Sequence, residues 1–319
     1  MRSRWTLWFG VAVSIVFLWV ALRSISGRDL ANAFGAIDYL AVLFCAAMVA
    51  LGMGFRAIRW RIIAGNSKAD AHCFSQATNL GVLSNLIFPG RAGEVLRVLR
   101  LSKMLPCPLP HALASAMIDR MADVSVLILS ALIVYFYLPV AALLEKWLMV
   151  FGGSFVFLVV IAVLFFRRAH VWRDWFFAWL RRFLGKWGMK PEAFLSELFS
   201  ELGRLAHGKL PVEILGISLA IWCADYAVIA AVLKSLHLSL PLEAPLLLWV
   251  FLSAGSALPS APGYVGVYQV AAIWALSFYG VAPTTSVASA LVLQVTTLAV
   301  ALLMSGKGLR EVFRQTTQG

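Results

Sequence analysis

Three groups of residues in this chain have the types and spacing to do chemistry. Asp119, Arg120 and Asp123 stand together inside an otherwise apolar run, His111 to Leu138. Asp119 and Asp123 are four apart and share a helix face, and Arg120 reaches Asp123 three positions on. Ionisable groups at membrane depth are costly, so they mark ion paths and proton relays, or ion pairs that fix helix packing. Asp225 stands alone near the middle of a second apolar run. That placement suits proton coupling, whereas a partner such as Arg120 would make it structural. The third group, Arg91, Glu94 and Arg97, follows directly on Pro89-Gly90. A guanidinium is a planar fork matched to phosphate. A helix beginning after Gly90 aims its first N–H groups at an anion. Glu94 lies three residues from each arginine and orients both. The plain alternative is a cytoplasmic loop with solvated charges, but Asn79, Ser84, Asn85 and the Pro-Gly break are unusual for such a loop.

The elements that position these groups include two interruptions. The stretch of about 73–103 is apolar up to Pro89-Gly90 and charged after it. A second interruption, Ser253 to Gln269, holds Ser256, Pro259, Ser260, Pro262, Gly263 and Gly266, with Tyr264, Tyr268 and Gln269 beside them. It carries no charge, which assigns it shape and close packing. Broken backbone at membrane depth is tolerated only where protein or a wet cavity satisfies it.

The setting is a membrane. Of 319 residues 61% are hydrophobic and 13% charged, with mean hydropathy +0.86, well outside the balance of soluble proteins. The runs predict an all-α polytopic membrane protein forming one integral domain, 1–319. About six full spans fall near 5–22, 39–63, 111–138, 147–166, 212–236 and 283–304, each close to the roughly 20 residues that a bilayer requires. The first follows Arg2 and Arg4 and reads as an uncleaved span. The net charge of +12 fits cytoplasmic loops facing anionic lipid rather than nucleic acid. The four cysteines form no CxxC pair and the five histidines are scattered, so neither a disulfide framework nor a metal site is expected. There is no Walker A, HExxH or GxSxG sequence, which excludes ATP-driven transport by this chain and leaves an intramembrane enzyme unsupported. No cofactor is expected.

Positive charge sets the topology. If both interruptions enter the membrane and return, every basic cluster falls on the side of both termini, the cytoplasm. The charge count does not decide whether 244–280 re-enters or crosses twice. Segments 39–138 and 212–304 then form two units of opposite orientation, an inverted-topology repeat with the site near the repeat interface. Between them, 167–211 reads as two amphipathic helices on the cytoplasmic surface, with Trp172, Trp175, Phe176, Trp179 and Phe183 on one face and Phe194, Leu195, Leu198, Phe199, Leu202 and Leu205 on the next.

Taken in order, Pro89-x-Arg91-x-Gly93-Glu94-x-x-Arg97, Asp119-Arg120-x-x-Asp123 and Pro262-Gly263-x-x-Gly266 resemble the lysylphosphatidylglycerol synthase transmembrane-region family, over roughly 5 to 305. The resemblance implies paired re-entrant segments and lipid translocation between leaflets. Its aminoacyltransferase domain is a separate C-terminal unit, so aminoacyl transfer is not expected. Two residues depart from the pattern: Tyr264 stands where a second glycine is expected after Pro-Gly, and Gln269 where an acidic residue is expected. The expected function is a flippase or transporter of a polar or anionic phospholipid or isoprenoid lipid in the bacterial inner membrane. The substrate-binding residues are Pro89, Arg91, Gly93, Glu94, Arg97, Pro262, Gly263 and Gly266. Asp119, Arg120, Asp123 and Asp225 form an intramembrane charged network. The alternative is an accessory subunit that presents lipid to a separate synthesising enzyme. Partners are the lipid and a second copy of the chain or such an enzyme.

Overall fold

The computed structural model describes residues 16–19, 21, 27–65, 71–88, 92–137, 189–205, 208–256 and 262–317. Pro89, Gly90, Arg91, Pro259, Ser260, most of the first span, the fourth span and the aromatic segment Trp172–Phe183 lie outside them. The described residues are helical without strands. In chain order they form α1 (Gly27–Gly35), α2 (Tyr39–Ile63), α3 (Ala71–Ile87), α4 (Ala92–Met104), α5 (Leu109–Tyr137), α6 (Met189–Leu205), α7 (Leu210–Ser235) and α8 (Glu243–Gly255). A single 3-10 turn (Pro262–Tyr264), α9 (Val267–Ser277) and α10 (Pro283–Thr317) follow.

Local chemistry sets the ends. Asp38 caps α2, its Oδ1 accepting the Leu40 N–H at 2.9 Å. Gly65, at φ 67°, closes the other end of α2. Pro110, Pro211 and Pro283 each sit in the first turn of a helix, where the missing N–H costs nothing.

Three described helices are long and apolar enough to cross a membrane: α2, α7 and the Pro283–Gly306 part of α10. Helix α5 is longer still, 29 residues, with its charged residues Asp119, Arg120 and Asp123 near its middle. Exposed apolar side chains line these helices, Leu40, Leu43, Phe44 and Leu51 on α2 and Val295, Leu298 and Leu302 on α10. Such stripes face lipid in a membrane protein. The helices flanking the interruptions are shorter, 17 and 13 residues for α3 and α4, 13 and 11 for α8 and α9. At a rise of about 1.5 Å per residue, α4, α8 and α9 reach roughly 17–20 Å, short of the roughly 30 Å hydrocarbon core.

Two compact units divide the chain. The first holds Met1–Gly54, Gln76–Arg97 and Ile221–Gly319; the second holds Phe55–Ser75 and Val98–Ala220. In the first, Met53, Leu83, Val300 and Ala301 make one buried cluster. Val270 and Val287 make another with Ala21. In the second, Ile63 and Ile118 pack with Leu198, Leu202 and Leu205 of α6. Of the apolar face of α6, Leu205 is buried in the cluster, while Leu198 and Leu202 pack against it part-buried.

Candidate functional site

The first interruption lies in the first unit between α3 and α4, and two glycines bring these helices together. A Cβ on Gly93 would collide with the Gly81 carbonyl oxygen, and one on Gly81 would lie 3.0 Å from Cβ of Arg97. Asn85 ties the start of α4 down: its Oδ1 accepts the Gly93 N–H at 2.9 Å, and its Nδ2 donates to Glu94 at 3.4 Å. Glu94 and Arg97 form an ion pair, 2.9 Å between Oε2 and Nε. Arg97 is only 3% exposed, so its charge is held inside the helix pair and not spread into solvent. Buried oxygens of Thr78, Asn79 and Ser305 have no hydrogen-bond partner among the described residues. Each such oxygen costs about 1–3 kcal/mol unless water or a ligand meets it.

The second interruption is also in the first unit, beside the first. A Cβ on Gly263 would sit 3.5 Å from the Leu86 carbonyl oxygen, near the end of α3. Two glutamines close the broken backbone. Gln294 Nε2 donates to the Gly263 carbonyl at 2.6 Å. Gln269 Nε2 donates to Gln294 Oε1 at 2.7 Å, and Gln269 Oε1 accepts the Gly266 N–H at 2.7 Å. The two ends fix both amide orientations, because a carbonyl only accepts and an N–H only donates. Gln269 is 1% exposed.

This chain of bonds explains the departure at Gln269. A carboxylate could accept from Gly266 but could not donate to Gln294. We expect Gln269→Glu to lower the thermal midpoint in detergent by several degrees, matching roughly 1–3 kcal/mol for a buried acceptor facing an acceptor. Recovery in Gln269→Glu/Gln294→Lys would support the pairing; a wild-type midpoint in the single variant would refute it. Tyr264, the other departure, adopts φ 59°, a region that favours glycine. Its ring stacks on Tyr268 with centroids 5.0 Å apart, and stacking of this kind offsets part of the backbone cost.

The charged network lies in the second unit and includes a residue that the sequence did not single out. Arg59 of α2 is fully buried. Its Nε donates to Asp119 at 2.8 Å and an Nη to Asp123 at 2.5 Å. It also donates to the Asp119 carbonyl and to Ser218 of α7, both at 3.3 Å. Arg120 pairs with the outer oxygens, 3.2 Å from Asp119 and 3.0 Å from Asp123. The two aspartates thus share two guanidiniums, one buried and one part-exposed. Asp119, Arg120 and Asp123 are joined by these pairs in the second unit; Asp225 is half-buried on α7 and falls in the first unit. The signal for Arg59 was the imbalance of two carboxylates against one arginine on α5, which calls for a second cation from a neighbouring span.

Long apolar helices, lipid-facing stripes and buried ion pairs define an integral membrane protein built from α-helices. More particularly, residues 7–305 match the family described as Lysylphosphatidylglycerol synthase TM region, and the chain belongs to it. No curated protein and no solved structure is matched by the chain.

Proposed function

We propose that the chain is a lipid flippase, moving a polar or anionic lipid between the leaflets of a bacterial inner membrane with both termini in the cytoplasm. The observation that carries this reading is the meeting of two broken helix pairs in one unit, at Leu86 and Gly263. One bears the pair of buried Arg97 and part-buried Glu94; the other is neutral and closed by glutamines. Short helices with breaks at depth are how transporters line a polar path. The unpartnered oxygens of Thr78, Asn79 and Ser305 supply acceptors for water or a headgroup on that path. Glu94 and Arg97 set its charge, and Arg91 is assigned the phosphate on the chemistry of its side chain. The lengths of α8 and α9 favour re-entry of that segment over two crossings. Membership of a membrane-region family is in keeping with this function.

The test is translocation of a labelled anionic phospholipid in vesicles reconstituted with the purified chain. Arg91→Ala and Glu94→Gln should each slow it about tenfold or more, the worth of one charge-assisted hydrogen bond. Unimpaired translocation in Arg91→Ala, Glu94→Ala and Arg97→Ala alike would remove this site. A wild-type chain that moves no lipid, yet restores activity to a lipid-synthesising enzyme, would assign it the presenting role instead.

A further inference from the structure

His111, Glu197 and Glu201 converge in the second unit, apart from both interruptions in sequence and from the Arg59 network in its bonds. His111 stands in the first turn of α5, and the two glutamates lie one turn apart on α6. His111 Nδ1 is 3.4 Å from Glu197 Oε2 and 3.4 Å from Glu201 Oε1. One ligand atom from each of the three lies within 4.8 Å of the others. The other ring nitrogen, Nε2, is 3.0 Å from the Ala64 carbonyl oxygen. That oxygen only accepts, so Nε2 carries a proton and donates it. The Nδ1 lone pair of the neutral ring then faces two carboxylates. Three electron-pair donors this close repel one another, and a cation among them removes the conflict.

That cation is either a proton on Nδ1 or a metal ion, and the geometry favours the metal. A charge-assisted N–H···O bond is about 2.7–2.9 Å long, shorter than both distances here. A tetrahedral zinc site with bonds of about 2.0–2.1 Å holds neighbouring ligand atoms about 3.3–3.4 Å apart. The surroundings match as well. A metal-bound imidazole donates its other N–H to a carbonyl or carboxylate, as His111 does to Ala64. Arg204 donates from Nε to Glu201 Oε2 at 3.1 Å, leaving Oε1 for the ion, and also donates to the Ile63 carbonyl. Imidazole with carboxylate is a donor set for zinc and its first-row neighbours.

We propose that His111, Glu197 and Glu201 bind one divalent transition-metal ion, best zinc, with water in the fourth position. The ion clamps α6 to the start of α5, and through the Ala64 and Ile63 carbonyls to the end of α2. The sequence spacing concealed this site, because the histidine and Glu197 are 86 positions apart.

The experiment uses the full chain, purified in detergent, stripped with a chelator and titrated with zinc chloride. The expected result is one equivalent of zinc bound and a thermal midpoint raised by several degrees on binding. His111→Gln and Glu197→Gln should abolish both effects. Arg204→Gln, which releases the orientation of Glu201, should weaken binding about 10–100-fold. Cobalt in place of zinc should give the visible absorption of a four-coordinate site in the wild type and lose it in Glu197→Gln. If the stripped chain takes up no zinc, the cluster is an imidazolium ion pair and the proposal fails. It fails equally if His111→Gln and Glu197→Gln bind zinc as the wild type does.

Discussion

Asp119→Ala should cost about 3–5 kcal/mol of stability, the penalty for stripping one partner from a buried ion pair. Arg59 makes the effect large. It is fully buried, and the substitution takes away its 2.8 Å partner while leaving a guanidinium in a low-dielectric interior. Asp123 stays within reach but is itself shared with Arg120. Arg59→Met should cost a comparable amount, now by leaving Asp119 buried beside an apolar chain. The double variant Arg59→Met/Asp119→Leu should recover much of the loss, because replacing both charges removes the desolvation that each alone incurs. Asp123→Ala should cost less, since its side chain is 28% exposed and its loss leaves Arg59 its 2.8 Å partner Asp119. Thermal midpoints in detergent rank the four variants. A wild-type midpoint for Asp119→Ala would mean that the network contributes nothing to folding. Asp119→Asn separates the two roles of the group. It keeps an acceptor for Arg59 and loses only the ionisable carboxyl. Lost translocation at an unchanged midpoint would make the network part of transport and not only a rivet.

Gly93→Ala is expected to be the most damaging single-methyl change on α4. The added carbon would collide with the Gly81 carbonyl oxygen, and it would lie 2.6 Å from Oδ1 and 2.8 Å from Cγ of Asn85. The first obstacle is backbone and cannot step aside. The second is the side chain that accepts the Gly93 N–H, so moving it loses that bond as well. Overpacking of this kind costs about 1–3 kcal/mol, and the lost buried bond adds about 1 kcal/mol. Gly81→Ala should be milder. Its nearest neighbours, Cβ and Cδ of Arg97 and the Gly93 carbonyl, stand at 3.0–3.2 Å, a gap that a few tenths of an ångström relieves. Gly216 on α7 meets nothing within 4 Å, and Gly216→Ala should be neutral or slightly stabilising. Yield of folded protein and vesicle translocation should therefore fall in the order Gly216→Ala, Gly81→Ala, Gly93→Ala. Any inversion of the last two would contradict the close approach of α3 and α4.

The parts of this structure legible in the sequence are those written in local periodicity. The apolar run 39–63 is the whole of α2, and the apolar parts of α7 and α10 begin within two residues of their expected starts. Both Pro-Gly sites fall between helices, one between α3 and α4 and the other between α8 and α9, as expected where a proline would remove an interior backbone bond. The face of α6 followed from the spacing of Leu198, Leu202 and Leu205. The partners across the fold were not legible. Arg59 meets Asp119 from 60 positions away, and Gln269 meets Gln294 from 25. Arg59 reads along the chain as one more cytoplasmic arginine beside Arg56 and Arg61. Gln269 reads as a missing acid until Gln294 stands opposite it. Such pairings depend on how helices pack, which a single helix period does not encode.

The second interruption has a consequence for energetics. From Ser253 to Gln269 the chain carries no charged side chain, and its backbone is closed by two neutral amides. A transmembrane voltage works on charge, about 2.3 kcal/mol per elementary charge per 100 mV, and so does almost no work on this segment. The bonds of Gln269 and Gln294 to the Gly263–Gly266 backbone should be the same in polarised and depolarised vesicles. Glu94 and Arg97, joined as a neutral pair, feel the field only if they separate. Voltage sensitivity in translocation would thus report on charge outside this segment: the parting of that pair, Arg91, the Arg59 network, Asp225 or the lipid itself.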